Sequence, residues 1–114
     1  MTVHNGTYYL FYSGGNWRST YGMGYATGQS PTGPFTKSAR NPILKQTGRV
    51  FSPGGGDVFV RGPHGGTWLV YHGRPSPTAV RTLRVDALTW HPAPPGPDVP
   101  MVAGPTATPQ PNLP

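Results

Sequence analysis

The side chains able to do acid–base chemistry are few in this sequence. It has no Glu and no Cys, and its acidic residues are Asp57, Asp86 and Asp98. Asp86 follows an apolar strand and precedes a turn, where an Asp ordinarily accepts hydrogen bonds from backbone N–H groups, and Asp98 lies among prolines. Only Asp57 falls in a Gly-rich loop that could approach a site. General acid–base catalysis at one bond needs two positioned groups, so the chain alone is not expected to supply both.

The histidines and the Gly-rich loop do not indicate a cofactor site. No two of the four histidines have the spacing of zinc ligands. His4 and His64 are predicted in turns and His91 in a tail, while His72 ends a strand and is predicted to be a hydrogen-bonded structural residue rather than a base. The loop at residues 52–56 lacks the Lys-Ser/Thr pair and the following helix of a phosphate loop. The sequence therefore predicts no metal and no cofactor.

The composition indicates which elements must position these groups. Of 114 residues, 17 are Gly and 16 are Pro, and 34% are hydrophobic. Gly accepts a positive φ, and Pro fixes φ and lacks an N–H donor, so both residues frame short strands and interrupt long helices. An all-β fold is therefore predicted. Because no Cys is present for disulfides, apolar burial must hold it.

Two groups of short strands are predicted. The first opens with a hairpin that turns at Asn5-Gly6, the strongest short hairpin signal. Glycines at alternate positions of residues 21–27 are expected to let a neighbouring sheet approach closely. The predicted elements are the hairpin at 2–12, strands at 21–27 and 35–38 around a turn at 30–34, then strands at 57–61, 67–72 and 80–85, with a turn at 62–66.

A weak internal repeat relates the two groups. Residues 6–14 align with residues 66–73 at an offset of 59, from Tyr9 to Trp68. A repeated sheet of three or four strands, apolar on both faces, is typical of a β-propeller blade. The alternative, two unrelated hairpins of a small sandwich, stays open. The predicted units are a blade at 1–45, a blade at 46–92, and a Pro-rich tail at 93–114 that forms an extended strap or a disordered end.

Several linked segments, in matching order and spacing, resemble glycoside hydrolase family 43. The resemblance covers roughly residues 1 to 92. Its segments are residues 8–17, 21–27, 30–35, 52–55, 68–72, 81–86 and 88–90.

The resemblance implies a five-bladed β-propeller acting on arabinose- or xylose-containing polysaccharides, as an arabinofuranosidase or xylosidase does. This chain would be its fourth blade, missing the start, and its fifth blade. The family's two catalytic Asp and one Glu would all lie upstream, so the chain is expected to be inactive alone. Some members place a metal-holding His where this sequence has Gly55, so that ligand is missing here.

Blade geometry predicts that three loops share one rim, at residues 13–20, 46–57 and 73–80. Sugars stack their apolar faces on aromatic rings and need polar partners for their hydroxyls. For Trp17, stacking on substrate and packing within the blade both remain open, and solvation remains open for the two arginines. The predicted substrate-binding residues are Asn16, Trp17, Arg18, Asp57 and Arg74.

Charge and hydropathy bear on which classes of partner, nucleic acid or membrane, the chain could bind. The net charge is +6, but the nine basic residues are scattered singly rather than clustered, which argues against a nucleic-acid partner. No stretch approaches the ~18 apolar residues of a membrane span, and the N-terminal residues lack the features of an export signal. No membrane partner is predicted, and localisation stays open although the resemblance is to secreted-type enzymes.

The alternative functions are a non-catalytic carbohydrate-binding module and a nucleic-acid binder. Exposed blade faces also predict self-association and poor solubility.

Overall fold

A computed structural model describes residues 1–60 and 66–110, which form two four-stranded antiparallel sheets. No helix occurs in these two ranges, so no described helix could cross a membrane. The strand order in each sheet follows the chain, so within a sheet every strand pairs with its sequence neighbours. The strands are β1 (Thr2–His4), β2 (Thr7–Gly14), β3 (Gly22–Gly28), β4 (Thr36–Lys37), β5 (Phe51–Val60), β6 (Thr67–Arg74), β7 (Thr82–His91) and β8 (Val99–Val102).

The first hairpin forms as predicted. Asn5 and Gly6 both take positive φ, 46° and 77°, as the two central residues of a type I′ hairpin turn do. His4 then pairs with Thr7, and β1 lies along the start of β2. Of the later predictions, the turn at 62–66 lies outside the described residues except for Gly66, and His64 lies outside them altogether.

The glycines of β3 allow a loop, rather than a second sheet, to pack closely against this strand. A Cβ on Gly22 would lie 2.7 Å from the carbonyl oxygen of Leu44, and one on Gly24 would lie 2.7 Å from the side chain of Asn41. Asn41 accepts a hydrogen bond from the Tyr25 backbone N–H at 2.9 Å and donates to the Tyr25 carbonyl at 2.8 Å. The close approach predicted for residues 21–27 is therefore correct, but the neighbour is the crossover between the sheets.

The internal repeat is real in the fold, but its offset is 60 rather than 59. Thr7 and Thr67 are both buried first residues of their strands, and each strand then buries every second residue. An offset of 59 would place Tyr9, fully buried, on the half-buried Trp68. Because side chains alternate between sheet faces, a slip of one residue turns every side chain to the wrong face.

The core lies between the two sheets, where β5 packs against β2 and β3. Aromatic rings dominate it, with Tyr9 and Tyr25 centred 5.9 Å apart. Its buried members are Tyr9, Phe11, Met23, Tyr25, Leu44, Val50, Val58, Leu69, Tyr71 and Leu88.

The second sheet is larger than the sequence indicated. Its first strand begins at Phe51 rather than at residue 57, and β7 continues to His91. Val99–Val102, in the Pro-rich tail, form β8 and pair with β7. The tail was predicted to be an extended strap or a disordered end, and these four residues are extended and hydrogen-bonded to β7, since a chain short of donors can still serve as an outermost strand.

The chain beyond β8 folds back onto a buried carboxylate. Asp86 is fully buried and accepts hydrogen bonds from the Tyr71 hydroxyl at 2.6 Å and from the Thr106 backbone N–H at 3.1 Å. The Thr106 hydroxyl donates to the other oxygen, and a Cβ on Gly104 would collide with the carboxylate. A hydrogen-bonded structural role was predicted for Asp86 and is observed, but its partners are 15 and 20 residues away rather than nearby backbone N–H groups.

Candidate functional site

A tight loop after β2 presents the most exposed aromatic ring of the rim. The Asn16 side chain accepts a hydrogen bond from the Arg18 backbone N–H at 2.8 Å, and its carbonyl accepts from Thr20 N–H at 2.9 Å. Gly15 has φ +83°, and a Cβ there would collide with the Thr20 carbonyl. These contacts hold Trp17 at the loop tip with 55% of its surface exposed. Asn16 therefore shapes the loop through its side-chain oxygen.

Arg74 ties this loop to the second sheet. Its guanidinium donates to the carbonyls of Trp17 at 3.3 Å and Arg18 at 3.1 Å, to the Ser52 hydroxyl at 3.2 Å, and to the Pro77 carbonyl at 2.8 Å. All four acceptors are uncharged. The residue therefore holds three chain segments together while keeping its full positive charge.

Arg81 makes a second tie that the sequence did not reveal. It donates to the Trp17 carbonyl at 2.6 Å and to the Ser52 carbonyl at 2.8 Å. Its guanidinium also lies over the Trp17 ring, 5.9 Å from the centroid, and over the Tyr21 ring at 5.6 Å. The available signal was its position as a lone cation at the start of a strand, directly after one of the rim loops.

His72 is fixed as a neutral ring by its neighbour. Its Nδ1 lies 2.9 Å from an Arg81 nitrogen, and because a guanidinium only donates, Nδ1 must accept and the proton sits on Nε2. Burial first, and then the charge of Arg81, lower the pKa of His72 below its ordinary value. The ring packs parallel to Tyr21, with centroids 6.0 Å apart. The prediction of a hydrogen-bonded structural His agrees with these contacts.

The backbone at the start of β5 closes the seam between the sheets. Ser52 is fully buried with φ 48°. Gly55 has φ +62°, and its N–H donates to the Ser13 hydroxyl at 2.7 Å. A Cβ on Gly55 would collide with the His72 ring. The space that a side chain at position 55 would need is thus occupied by the ring of His72.

Asp57 does not join the rim loops. It lies within β5, opposite Val70 of β6, and its side chain is 74% exposed. Its partners are the Val58 N–H at 2.8 Å and the N-terminal amine of Met1 at 3.5 Å. The prediction that Asp57 sits in a loop was wrong, because the Gly-rich stretch before it is strand with two register shifts rather than open loop.

The three carboxylates do not converge on one cleft. Asp86 is buried beneath the tail, Asp57 faces solvent on β5, and Asp98 accepts from His4 Nε2 at 2.9 Å and Asn5 at 3.2 Å. In the described ranges no three His, Asp, Glu or Cys residues are close enough to hold a metal ion. A groove of about 290 Å³ runs beside the Trp17 loop, lined in part by Tyr12, Thr20 and Lys45.

The family model for glycosyl hydrolases family 43 matches residues 1–93. The chain belongs to this family. A beta-D-galactofuranosidase of Aspergillus niger is 33% identical to this family-43 chain over 97 residues, which are 77% of the chain and 26% of the relative.

Two solved structures resemble the fold closely. A thermostable family-43 glycoside hydrolase is 32% identical, with a TM-score of 0.83 over 98% of this chain and 36% of its own. An endo-1,4-beta-xylanase of Bacteroides thetaiotaomicron is 29% identical, with a TM-score of 0.74 over 90% of this chain and 35% of its own. The two sheets of the family-43 chain are therefore two propeller blades, and the chain spans about a quarter to a third of these relatives.

Proposed function

We propose that this chain forms the fourth and fifth blades of a five-bladed glycoside hydrolase that cleaves O-glycosyl bonds in arabinose- or xylose-containing polysaccharides. In this proposal the catalytic acid and base belong to other blades, and the rim described above supplies part of the sugar-binding surface. The observation that carries it is the placement of Trp17. This residue is 55% exposed at one end of the blade pair, and two arginines donate hydrogen bonds to its backbone carbonyl.

The rim has the chemistry that a sugar requires. The exposed ring of Trp17 offers a flat apolar face, on which a pyranose or furanose ring stacks. Arg18 offers guanidinium donors to hydroxyls. Arg74 and Asn16 act indirectly, since their hydrogen bonds hold the loop. Asp57 is left out of the binding surface because it lies in the middle of β5.

The carboxylates do not support hydrolysis by this chain alone. An inverting glycosidase places an acid and a base about 6.5–9.5 Å apart on either side of the bond, and a retaining one places them closer. None of the three Asp residues shares a cleft with another, and one is sealed by Tyr71 and Thr106.

Hydrolysis assays test this part of the proposal. The purified chain, incubated with aryl-arabinoside and aryl-xyloside substrates, is expected to release no aryl alcohol above the buffer rate. Turnover that scales with protein concentration and disappears in Asp57→Asn would contradict it, because a catalytic carboxylate would then lie within these residues.

The exposed ring also favours a second function, a non-catalytic carbohydrate-binding module. Saturable binding of xylan or arabinan, measured by affinity electrophoresis, is then expected and is lost in Trp17→Ala. Met101→Ala is the matched control, because Met101 is similarly exposed at 53% but lies on β8. Equal binding by both variants would show that Trp17 is not part of the glycan-binding surface.

The outer faces of the two blades support self-association as a further part of the proposal. Val3 and Leu10 are exposed on the first sheet, and Phe59 and Leu83 on the second, with Leu83 81% exposed. Apolar faces of this kind mark contact surfaces. Sedimentation is expected to show dimers or larger species, with poor solubility, whereas a monomer that melts cooperatively at high concentration would contradict this part.

A further inference from the structure

Three guanidinium groups gather at the Trp17 loop of the rim, two over its ring and one on its backbone. Arg18 lies over the Trp17 ring, 4.8 Å from the centroid, and Arg81 lies 5.9 Å from the same centroid. Arg74 reaches the carbonyls of both Trp17 and Arg18. We call Arg18, Arg74 and Arg81 the arginine cluster.

None of the three side-chain carboxylates, all of which lie in the described ranges, compensates the arginine cluster. The sequence has only three acidic residues. Asp57 pairs with the N-terminal amine, Asp86 accepts from Tyr71 and Thr106, and Asp98 pairs with His4 at the other end of the blades. The nearby His72 is the acceptor of the Arg81 hydrogen bond, so it adds no negative charge.

The cluster is arranged before any ligand arrives. Arg74 and Arg81 each bind several backbone carbonyls, which fix the side chains without neutralising them. Arg18 is different, because its guanidinium rests on the exposed Trp17 ring and makes no hydrogen bond to the described part of the chain. Its donors are therefore available to a ligand that stacks beside it.

We propose that the arginine cluster binds the carboxylate of an acidic sugar, a uronic acid on a glycan whose neighbouring ring stacks on Trp17. This rests on the proposed function, since it requires the rim to bind glycan. A guanidinium fork matches a planar carboxylate with two parallel hydrogen bonds, and the bonds are stronger because both partners are charged. The fixed charges of Arg74 and Arg81 add attraction without any ordering cost on binding.

The arrangement of charges in this site suits a single carboxylate better than a nucleic-acid backbone. Phosphate-backbone binding draws on a row of cations along the strand path, whereas the basic residues of this chain are scattered outside the cluster. Within the arginine cluster, the exposed ring of Trp17 and the one guanidinium without a hydrogen bond to the described residues fit one sugar and one acid group.

Calorimetry with three ligands tests the proposal. The ligands are xylotetraose bearing one glucuronic acid, the same compound after reduction of its carboxyl group to an alcohol, and unsubstituted xylotetraose. The acidic ligand is expected to bind about tenfold more tightly than its reduced form, which is the gain from one charge-assisted hydrogen-bonded pair. This preference is expected to shrink as salt is raised.

Arg18→Gln is expected to remove most of the tenfold preference, because the acidic ligand loses its charge-assisted pair whereas the reduced ligand loses at most a neutral hydrogen bond. Arg40→Gln, an exposed arginine of the crossover, is the matched control and keeps the preference. Near-ultraviolet circular dichroism checks that both variants retain the packing of the parent chain.

Equal affinity for the acidic and reduced ligands would overturn the acidic-sugar proposal while leaving the proposed function in place, because the neutral glycan would still bind. Loss of all three ligands would overturn both. Tighter binding of a single-stranded DNA oligonucleotide than of the acidic ligand, lost in Arg18→Gln, would also overturn it in favour of a nucleic-acid site.

Discussion

The two ends of the blade pair use charge in opposite ways. At the end of the blades opposite the rim, His4 pairs with Asp98 at 2.9 Å and its ring stacks on Trp90 with centroids 4.0 Å apart. The Tyr9 hydroxyl donates to the Asp98 carbonyl at 2.6 Å. At the rim, Arg74 and Arg81 bind carbonyls, and no carboxylate of residues 1–60 or 66–110 pairs with them.

The aromatic rings differ in the same way. Tyr9 is fully buried where the blades are locked together, whereas Trp17 is more than half exposed at the rim. A stacked and paired polar group stabilises the fold because both partners are satisfied. An exposed ring beside uncompensated charges contributes less to the fold and remains available to a ligand. The comparison therefore separates residues that hold the blades from residues that present a surface.

The largest effect is expected at the buried carboxylate that holds the tail. Asp86→Ala leaves Tyr71 and Thr106 without their acceptor in a buried site and opens a cavity, so the free energy of unfolding is expected to fall by about 3 kcal/mol. Urea denaturation followed by tyrosine and tryptophan fluorescence measures it.

Asp57→Ala is the matched control for this experiment. Its side chain is 74% exposed, so a change within about 0.5 kcal/mol is expected. Similar losses in both variants would show that the Asp86 contacts do not hold the tail onto the second blade.

A smaller effect is expected at the rim. Arg81→Gln removes the bonds to the Trp17 and Ser52 carbonyls, which are partly exposed, so about 1 kcal/mol of stability is expected to be lost. The Trp17 loop loosens as well, and iodide should quench tryptophan fluorescence more strongly. Arg49→Gln, an exposed arginine of the crossover, is the control and is expected to change neither quantity. Unchanged quenching in Arg81→Gln would mean that Arg74 alone holds the loop.

The smallest effects are expected in the pH dependence of stability, which Tyr9 lowers at high pH and His72 lowers at low pH. Burial, then Asp98 and Tyr25, raise the pKa of Tyr9 to about 12, so its contribution is complete below the ordinary pKa of about 10 and is lost as pH rises from there towards 12. The pKa of His72 is lowered, so its contribution is complete above about pH 6.5 and is lost as pH falls below that value.

Urea denaturation between pH 5 and pH 11 would measure both effects. Tyr9→Phe is expected to reduce the alkaline decline, to which Tyr71 also contributes because burial and Asp86 raise its pKa. His72→Asn is expected to flatten the acid decline, since Asn retains an acceptor for Arg81. A single variant that flattened both limbs would contradict the assignment of the two pH effects to opposite ends.

Local patterns in the sequence predicted most of the strands but not the pairing details. Asn5-Gly6 predicted its hairpin because the turn requires positive φ at both positions, a property of those two residues alone. The glycines before Asp57 suggested a loop, yet pairing with β6 made them strand. The offset of the repeat was one residue wrong because burial, not letter similarity, sets the register.

The candidate site was partly predictable. Trp17, Arg18 and Arg74 meet at the rim, as their loops suggested. Arg81 was missed, because nothing in its local sequence shows that its side chain crosses to a loop 64 residues away.

The sequence by itself determined the all-β class, the two repeated sheets, the family and the scarcity of acids, since these follow from composition and from short-range patterns. Only the tertiary structure decided that Asp86 lies beneath the tail and that three arginines gather around Trp17. The physical reason is that both arrangements depend on contacts between residues far apart in the chain, which form only when the two sheets pack.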